Sequence, residues 1–403
     1  MTTNPVSEWE TDFDVLDPAY VKDPFPIWDQ LRTSCPIAHT TRRGRTWLPT
    51  RYEDVNSIAH DIAHFSSSDV GVIPFKPPDG EELDESEDPL EYGLPPISAD
   101  PPLHTWTRRL ILPWFSHRRV SSYIPMTRSI CEMLLSRFSS SGHADAAVDY
   151  AQQIPVRVIA HILGVPEEMS DTFTGWVRDV LEFAENPEKR SDTNGALVQF
   201  FLDQLELRKK EPGDDLISSL LQTEVEGEPV GDGVILGMVV LLLIAGVDTT
   251  WSSIGSSLWH LATNPEDRKR LVTEPEIMPL AIEELLRAYS PVTMARVVTE
   301  DVEYQGCPMQ AGDKVLLSFS AANRDPEAFE EPESVDLGRK HNRHLAFGAG
   351  IHRCAGSNLA RMELQVAVEE WLKVIPDFRL SNPKEVTWAG GQVRGPRVLP
   401  VEF

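Results

Sequence analysis

With 403 residues and 41% hydrophobic side chains, the chain is long enough to bury a sizeable core, and no linker or internal repeat divides it, so one domain spanning residues 1–403 is expected. Its 37 basic residues against 63 acidic ones leave a net charge of −26, which disfavours nucleic acid and anionic membranes as partners. A polar, acidic N-terminus argues against a secretory leader or anchor, and four scattered cysteines (Cys35, Cys131, Cys307, Cys354) fit reduced thiols in the cytoplasm.

In chain order, Thr46–Pro49 followed by Tyr52–His60 reads as a strand turning into a helix. Residues 66–99 are a proline-rich loop, and its acidic stretch Asp79–Glu91, with eight carboxylates and no base, reads as a solvated loop. Asp100-Pro101-Pro102 opens a helix running to about Pro113. Amphipathic helices follow at about 118–140, 150–163, 167–184, 194–210 and 214–223. Residues 231–263 read as one long helix. Its 14-residue apolar run, Val234–Val247, is too short to span a bilayer and suits a buried core. A helix at 275–289, strands at 297–302, 315–318 and 394–403, and a helix at about 356–374 complete a mainly α chain with a small β-rich part.

Four segments carry chemistry. Phe347-Gly348-Ala349-Gly350-Ile351-His352-Arg353-Cys354-Ala355-Gly356 is a glycine-rich loop delivering one cysteine to the start of a helix, where backbone amides and the dipole favour thiolate. Glycines let the backbone approach a flat ligand, and Phe347 can shield the sulfur. A zinc site from His341, His344, His352 and Cys354 is a rival, but its spacing matches no common finger or ribbon. Leu243-Ile244-Ala245-Gly246-Val247-Asp248-Thr249-Thr250 places an acid and a hydroxyl directly after an apolar run, which is costly unless they have partners. Thr249 could simply bond back to the carbonyl four residues earlier and bend the helix. Glu284-Leu285-Leu286-Arg287 alone would be an ordinary i,i+3 surface pair. His104 and Arg108, at i,i+4, share one helical face and suit charge-assisted bonds to a carboxylate.

Together these segments resemble the cytochrome P-450 superfamily, and the cysteine loop matches its signature throughout. The resemblance extends over almost the whole chain, including the meander Ala321–Arg339, where Val335 stands at a position commonly aromatic. It implies a largely helical, roughly triangular prism with a small β-rich lobe, enclosing haem b (iron protoporphyrin IX). Cys354 would be the axial thiolate, with Phe347, Gly350 and Ala245 against the cofactor. His104, Arg108, Arg296 and His352 would hold the propionates. Thr249 and Asp248 would position and relay protons for dioxygen, and Glu284 and Arg287 would be a buried structural pair. Leu241, Ile244, Ala245, Val292 and Met294 would form a pocket wall, finished by the 66–99 loop and the Gly390–Arg394 turn.

The reaction so implied inserts one oxygen atom from O2 into an apolar or weakly polar organic substrate, by hydroxylation, epoxidation or O-dealkylation. No flavin or nicotinamide motif is present, so electrons would come from a separate ferredoxin and its NAD(P)H-dependent ferredoxin reductase. His117, Arg118, Arg119, Arg353 and Arg361 would form a cationic dock for an acidic ferredoxin. A peroxide-driven relative and a non-catalytic haem or gas-binding protein are the alternatives; Asp248-Thr249 disfavours both.

Overall fold

The computed structural model describes residues 4–73, 89–182 and 187–403. Most of the acidic stretch and the middle of the 66–99 loop therefore lie outside the described residues.

Helices dominate, most of them placed by an apolar stripe that needs cover, while the long central one is apolar all round and therefore buried. Those that position the site are α1 (Phe25–Ser34), α2 (Tyr52–His60), α3 (Leu103–Ile111), α4 (His117–Phe138), α5 (Gln153–Leu163), α6 (Ser170–Glu182), α7 (Pro187–Lys210), α8 (Asp232–Thr263), α9 (Met278–Ala288) and α10 (Ser357–Val374). At about 1.5 Å per residue, α8 extends roughly 50 Å through the molecule. Among the described residues it is the one helix long and apolar enough to cross a membrane, yet 78% of its most apolar stretch is buried inside the fold. It packs against α5, α7 and α10, and the main hydrophobic core forms around it.

The larger sheet has the order β1-β2-β5-β4-β3, with β1 Ile37–Thr40, β2 Thr46–Pro49, β3 Phe65–Ser66, β4 Thr293–Val298 and β5 Lys314–Ser318. Its pairs are antiparallel except for β2 and β5, which run parallel with Val315 opposite Trp47. Two further strands carry the C-terminus: β6 (Gly395–Val398) pairs with Thr387–Ala389, and β7 (Pro400–Glu402) joins a three-stranded sheet with Arg379–Leu380 and His143–Asp145.

The differences from the sequence expectations lie at element ends. The strand expected at 297–302 is instead β4, starting at Thr293, and a separate short strand, Val302–Tyr304, with Thr299–Asp301 turning between them. The expected 394–403 strand divides at Leu399 and serves two different sheets. The helix expected from 150 begins with a π turn at Ala146–Ala151, capped by Asp145 accepting from the Ala147 and Val148 amides. The helix expected from 194 starts at Pro187; proline is well suited to a first helical turn.

Candidate functional site

The cysteine loop is shaped by its backbone. Cys354 N donates to Phe347 O at 2.8 Å, closing a tight turn. Gly350 has φ +66°, and a Cβ there would sit 2.2 Å from the Ala59 carbonyl oxygen on α2. Only glycine, which has no Cβ, can take that backbone angle and that approach without strain. Phe347 lies under the Arg361 guanidinium, 4.3 Å from its ring centre.

Cys354 keeps accessible surface while burial pushes its thiol up. Both hold for a group lining an internal recess. The Gly356 amide and the charges of Arg108, Arg353 and Arg361 pull the other way but do not win. The helix-start amide thus favours thiolate as expected from the sequence, but desolvation, which the sequence reading did not weigh, opposes it. Among the described residues no group of three or more His, Cys, Asp or Glu converges as a metal site. Nothing therefore supports the zinc alternative.

Four basic side chains expected to act together are brought together. The rings of His104 and His352 lie 4.3 Å apart. Arg108 and Arg296 are close enough to His352 to depress its basicity, which burial first of all lowers to about 3. Arg296 is 5% exposed and lowered to about 10, again chiefly by burial, and its Nη1 donates only to the neighbouring Ala295 carbonyl, at 2.8 Å. Both ring nitrogens of His104 and Nε2 of His352 are buried without a partner. Arg108 reaches the Arg353 carbonyl. Asp100, whose charge acts on His104 and Arg296, is engaged by Ser66 and the Ser67 amide. A buried basic cluster with unused donors suits a ligand carrying carboxylates.

On α8, Thr249 Oγ donates to Ala245 O at 2.9 Å, the back-bond expected from the helix alone. Ser253 and Ser257 repeat it down α8, each at 2.8 Å. Such bonds loosen and bend a helix. Along this otherwise buried stretch Ala245, Gly246 and Thr249 are only half-buried, so the face carrying positions 245 and 249 is left open. Leu241 and Ile244 are buried, at 7% and 9% exposed, while Val292 and Met294 are half-buried.

Asp248 is 1% exposed. Arg397 Nη2 donates to its Oδ1 at 2.8 Å, and Ser252 Oγ donates to the same oxygen at 3.2 Å. Arg397 also pairs with Glu182 at the end of α6. The sequence reading missed Arg397 and Glu182. Nothing local marks them, because Arg397 reaches Asp248, and Glu182 reaches Arg397, only through the fold. It also missed Glu363 on α10, 1% exposed, with Oε2 unpartnered and its carboxyl held far above the usual range by burial.

Glu284 and Arg287 are each 0% exposed, so the surface-pair reading does not hold. Glu284 accepts from Arg287 (2.8 and 2.9 Å), Arg339 (3.0 Å), Asn342 (3.0 Å) and the Asp336 amide (2.9 Å). Arg287 in turn donates to the carbonyls of Asn323, Pro332 and Ser334. The pair thus fastens α9 to the meander that leads to the cysteine loop.

Of the five cations expected to form a dock, two are engaged within the fold. Arg361 is held by Glu283 at 2.5 and 2.8 Å. Arg119 stacks 4.5 Å over Trp114 and donates to Tyr123 Oη at 3.1 Å. His117, Arg118 and Arg353 are exposed.

Comparisons with known proteins agree with this geometry. The family described as cytochrome P450 matches residues 178–387. Mycinamicin IV hydroxylase/epoxidase of Micromonospora griseorubida is 36% identical over 88% of this chain and 89% of its own length. Vitamin D(3) 25-hydroxylase of Pseudonocardia autotrophica is 34% identical over 91% and 90%. The solved structure of the Bacillus subtilis bacillaene polyketide synthase cytochrome P450 PksS superposes with a TM-score of 0.87, at 30% identity over 97% of this chain and 99% of that one. With the family match, the identity to relatives over most of both chains and the shared fold, the chain belongs to the cytochrome P450 family and is a P450 oxidoreductase of the bacterial monooxygenase type.

Proposed function

We propose that this single-domain P450 holds haem b through Cys354 and uses it to insert one oxygen atom from O2 into an apolar or weakly polar organic substrate. The observation that carries this reading is the basic cluster of His104, Arg108, Arg296 and His352, in which both ring nitrogens of His104 and Nε2 of His352 are buried without a partner. Two propionates would satisfy it, and Cys354 lies two residues from His352. The bound haem supplies the redox chemistry and the activation of dioxygen.

The residues of this chain would do the rest. Gly350 and the Phe347–Cys354 turn present the sulfur, and Arg361 holds Phe347 beside it. The open face at Ala245 and Thr249 accepts dioxygen, with the Thr249 hydroxyl able to exchange its back-bond for a new partner. Asp248 supplies protons through water. Leu241, Ile244, Ala245, Val292 and Met294 are uncharged and would exclude water beside the substrate. Electrons would come from a ferredoxin and its NAD(P)H-dependent reductase, docking on His117, Arg118 and Arg353. Arg119 and Arg361 drop out of that dock, being engaged within the fold. A cytoplasmic location fits the free cysteines.

The test is the carbon monoxide difference spectrum of the dithionite-reduced protein. A strongly red-shifted Soret band, lost in Cys354→Ala, supports the ligand and the cofactor together. A band at the position of histidine-ligated haem refutes the assignment of Cys354. Turnover compared with a ferredoxin system, with peroxide and with neither then fixes the electron source.

A further inference from the structure

Arg397 reaches Asp248 because two close contacts seat β6 against α8. A Cβ on Gly395 would lie 2.3 Å from Ser252 Cβ, and one on Gly255 would lie 2.8 Å from Pro396 Cγ. With these glycines the strand lies directly on the helix, and Arg397 extends over Trp251, 5.1 Å from its ring centre. The guanidinium then serves three groups. Nη2 bonds Asp248 Oδ1, Nη1 donates to Ser252 Oγ at 3.0 Å, and Nε bonds Glu182 Oε1. Glu182 also meets Arg178 at 3.5 Å.

The second oxygen of Asp248, Oδ2, is buried with no partner. An oxygen that already accepts from a guanidinium and a hydroxyl is a poor place for a proton. A proton on Asp248 therefore belongs on Oδ2. We propose that Arg397 is the positioning residue of this acid: it anchors Oδ1, so that protons are loaded and released at Oδ2 alone, and Glu182 sets how strongly the guanidinium draws on Asp248. This rests on the reading of Asp248 as the proton donor.

The electrostatics agree. Burial raises Asp248 to about 6, Arg397 opposes it, Glu182 adds to it, and Ser252 lowers it slightly. The charged groups facing Asp248 are thus Arg397 from β6 and Glu182 from α6. Poised near neutrality, the acid can be loaded and unloaded in the working range.

The experiment is an infrared pH titration of the full-length holoenzyme, following the carboxylic-acid carbonyl band identified by its loss in Asp248→Asn. In Arg397→Gln the midpoint should rise by about one pH unit or more, and Arg397→Lys should recover part of that rise. Glu182→Gln, which leaves Arg397 in place and so tests the idea even if Arg397→Gln does not fold, should lower the midpoint. In the reconstituted system Arg397→Gln should lose product formed per NAD(P)H by about tenfold or more, with KM unchanged and the pH profile of kcat displaced with the infrared midpoint. An unmoved midpoint in Arg397→Gln or Glu182→Gln, or a moved midpoint with unaltered coupling, overturns the proposal. Absence of the red-shifted carbon monoxide band instead overturns the monooxygenase reading, and the infrared titration still reports on Arg397.

Discussion

Arg287→Ala should cost about 3–5 kcal/mol of stability. The side chain is 0% exposed and makes two bonds to Glu284 and three to backbone carbonyls. Removing one partner of a buried ion pair costs about 3–5 kcal/mol. The Asn323 carbonyl, in a residue 0% exposed, loses its donor and adds about 1–3 kcal/mol. Water can reach Ser334, which is exposed, so its carbonyl adds little. Against these losses, Glu284 keeps Arg339, Asn342 and the Asp336 amide, so its charge is not orphaned and the sum stays near the lower figure. A stability of about 5–15 kcal/mol is then cut by about a fifth or more. Urea unfolding followed by circular dichroism measures this, with Arg287→Lys as the control. Lysine keeps the charge but not the five-donor fork, so it should lose less than alanine and still be clearly destabilised. If Arg287→Ala unfolds within about 1 kcal/mol of the unaltered protein, the pair behaves as an exposed i,i+3 contact and the reasoning fails.

Gly350→Ala must hold alanine at φ +66° and push Cβ into the Ala59 carbonyl; about 2–4 kcal/mol should be lost, and the protein should retain less haem on purification. Normal haem content and stability would contradict the tight approach to α2. Glu363→Gln should stabilise the protein at pH 7–8. Burial raises this carboxyl, so folding holds a proton that the unfolded chain releases above about pH 4.3, at about 1.4 kcal/mol per pH unit until the folded group ionises. Stability plotted against pH should flatten in the variant; parallel curves would refute the assignment. Arg361→Glu sets two carboxylates against each other, because Glu283, drawn down to about 2 with Arg361 and then His344 as its stabilising partners, is charged. In the unaltered protein the contribution of Glu283 is present above about pH 4.3 and is lost as pH falls towards 2. The variant should lose stability at pH 7, which thermal unfolding without a partner would reveal.

Much of this protein was legible in the order of its residues. The cysteine loop could be read because its chemistry is local: turn-forming glycines, an aromatic and a thiol within ten positions. The long helix could be read from one continuous apolar run, and the Thr249 back-bond from helix geometry alone. The pairing of His104 with Arg108 followed from i,i+4 spacing, but their meeting with Arg296 and His352 needed α3, β4 and the loop to be packed together. Only the tertiary structure could decide whether Glu284–Arg287 was a surface pair or a buried anchor, because burial is set by what covers a helix face. Likewise it decided that Arg361 and Arg119 are engaged, and that Arg397, 149 residues beyond Asp248, is its partner. Spacing along the chain specifies contacts within a turn or two of helix. Desolvation and long-range ion pairing depend on distances through space, which exist only once the chain is folded.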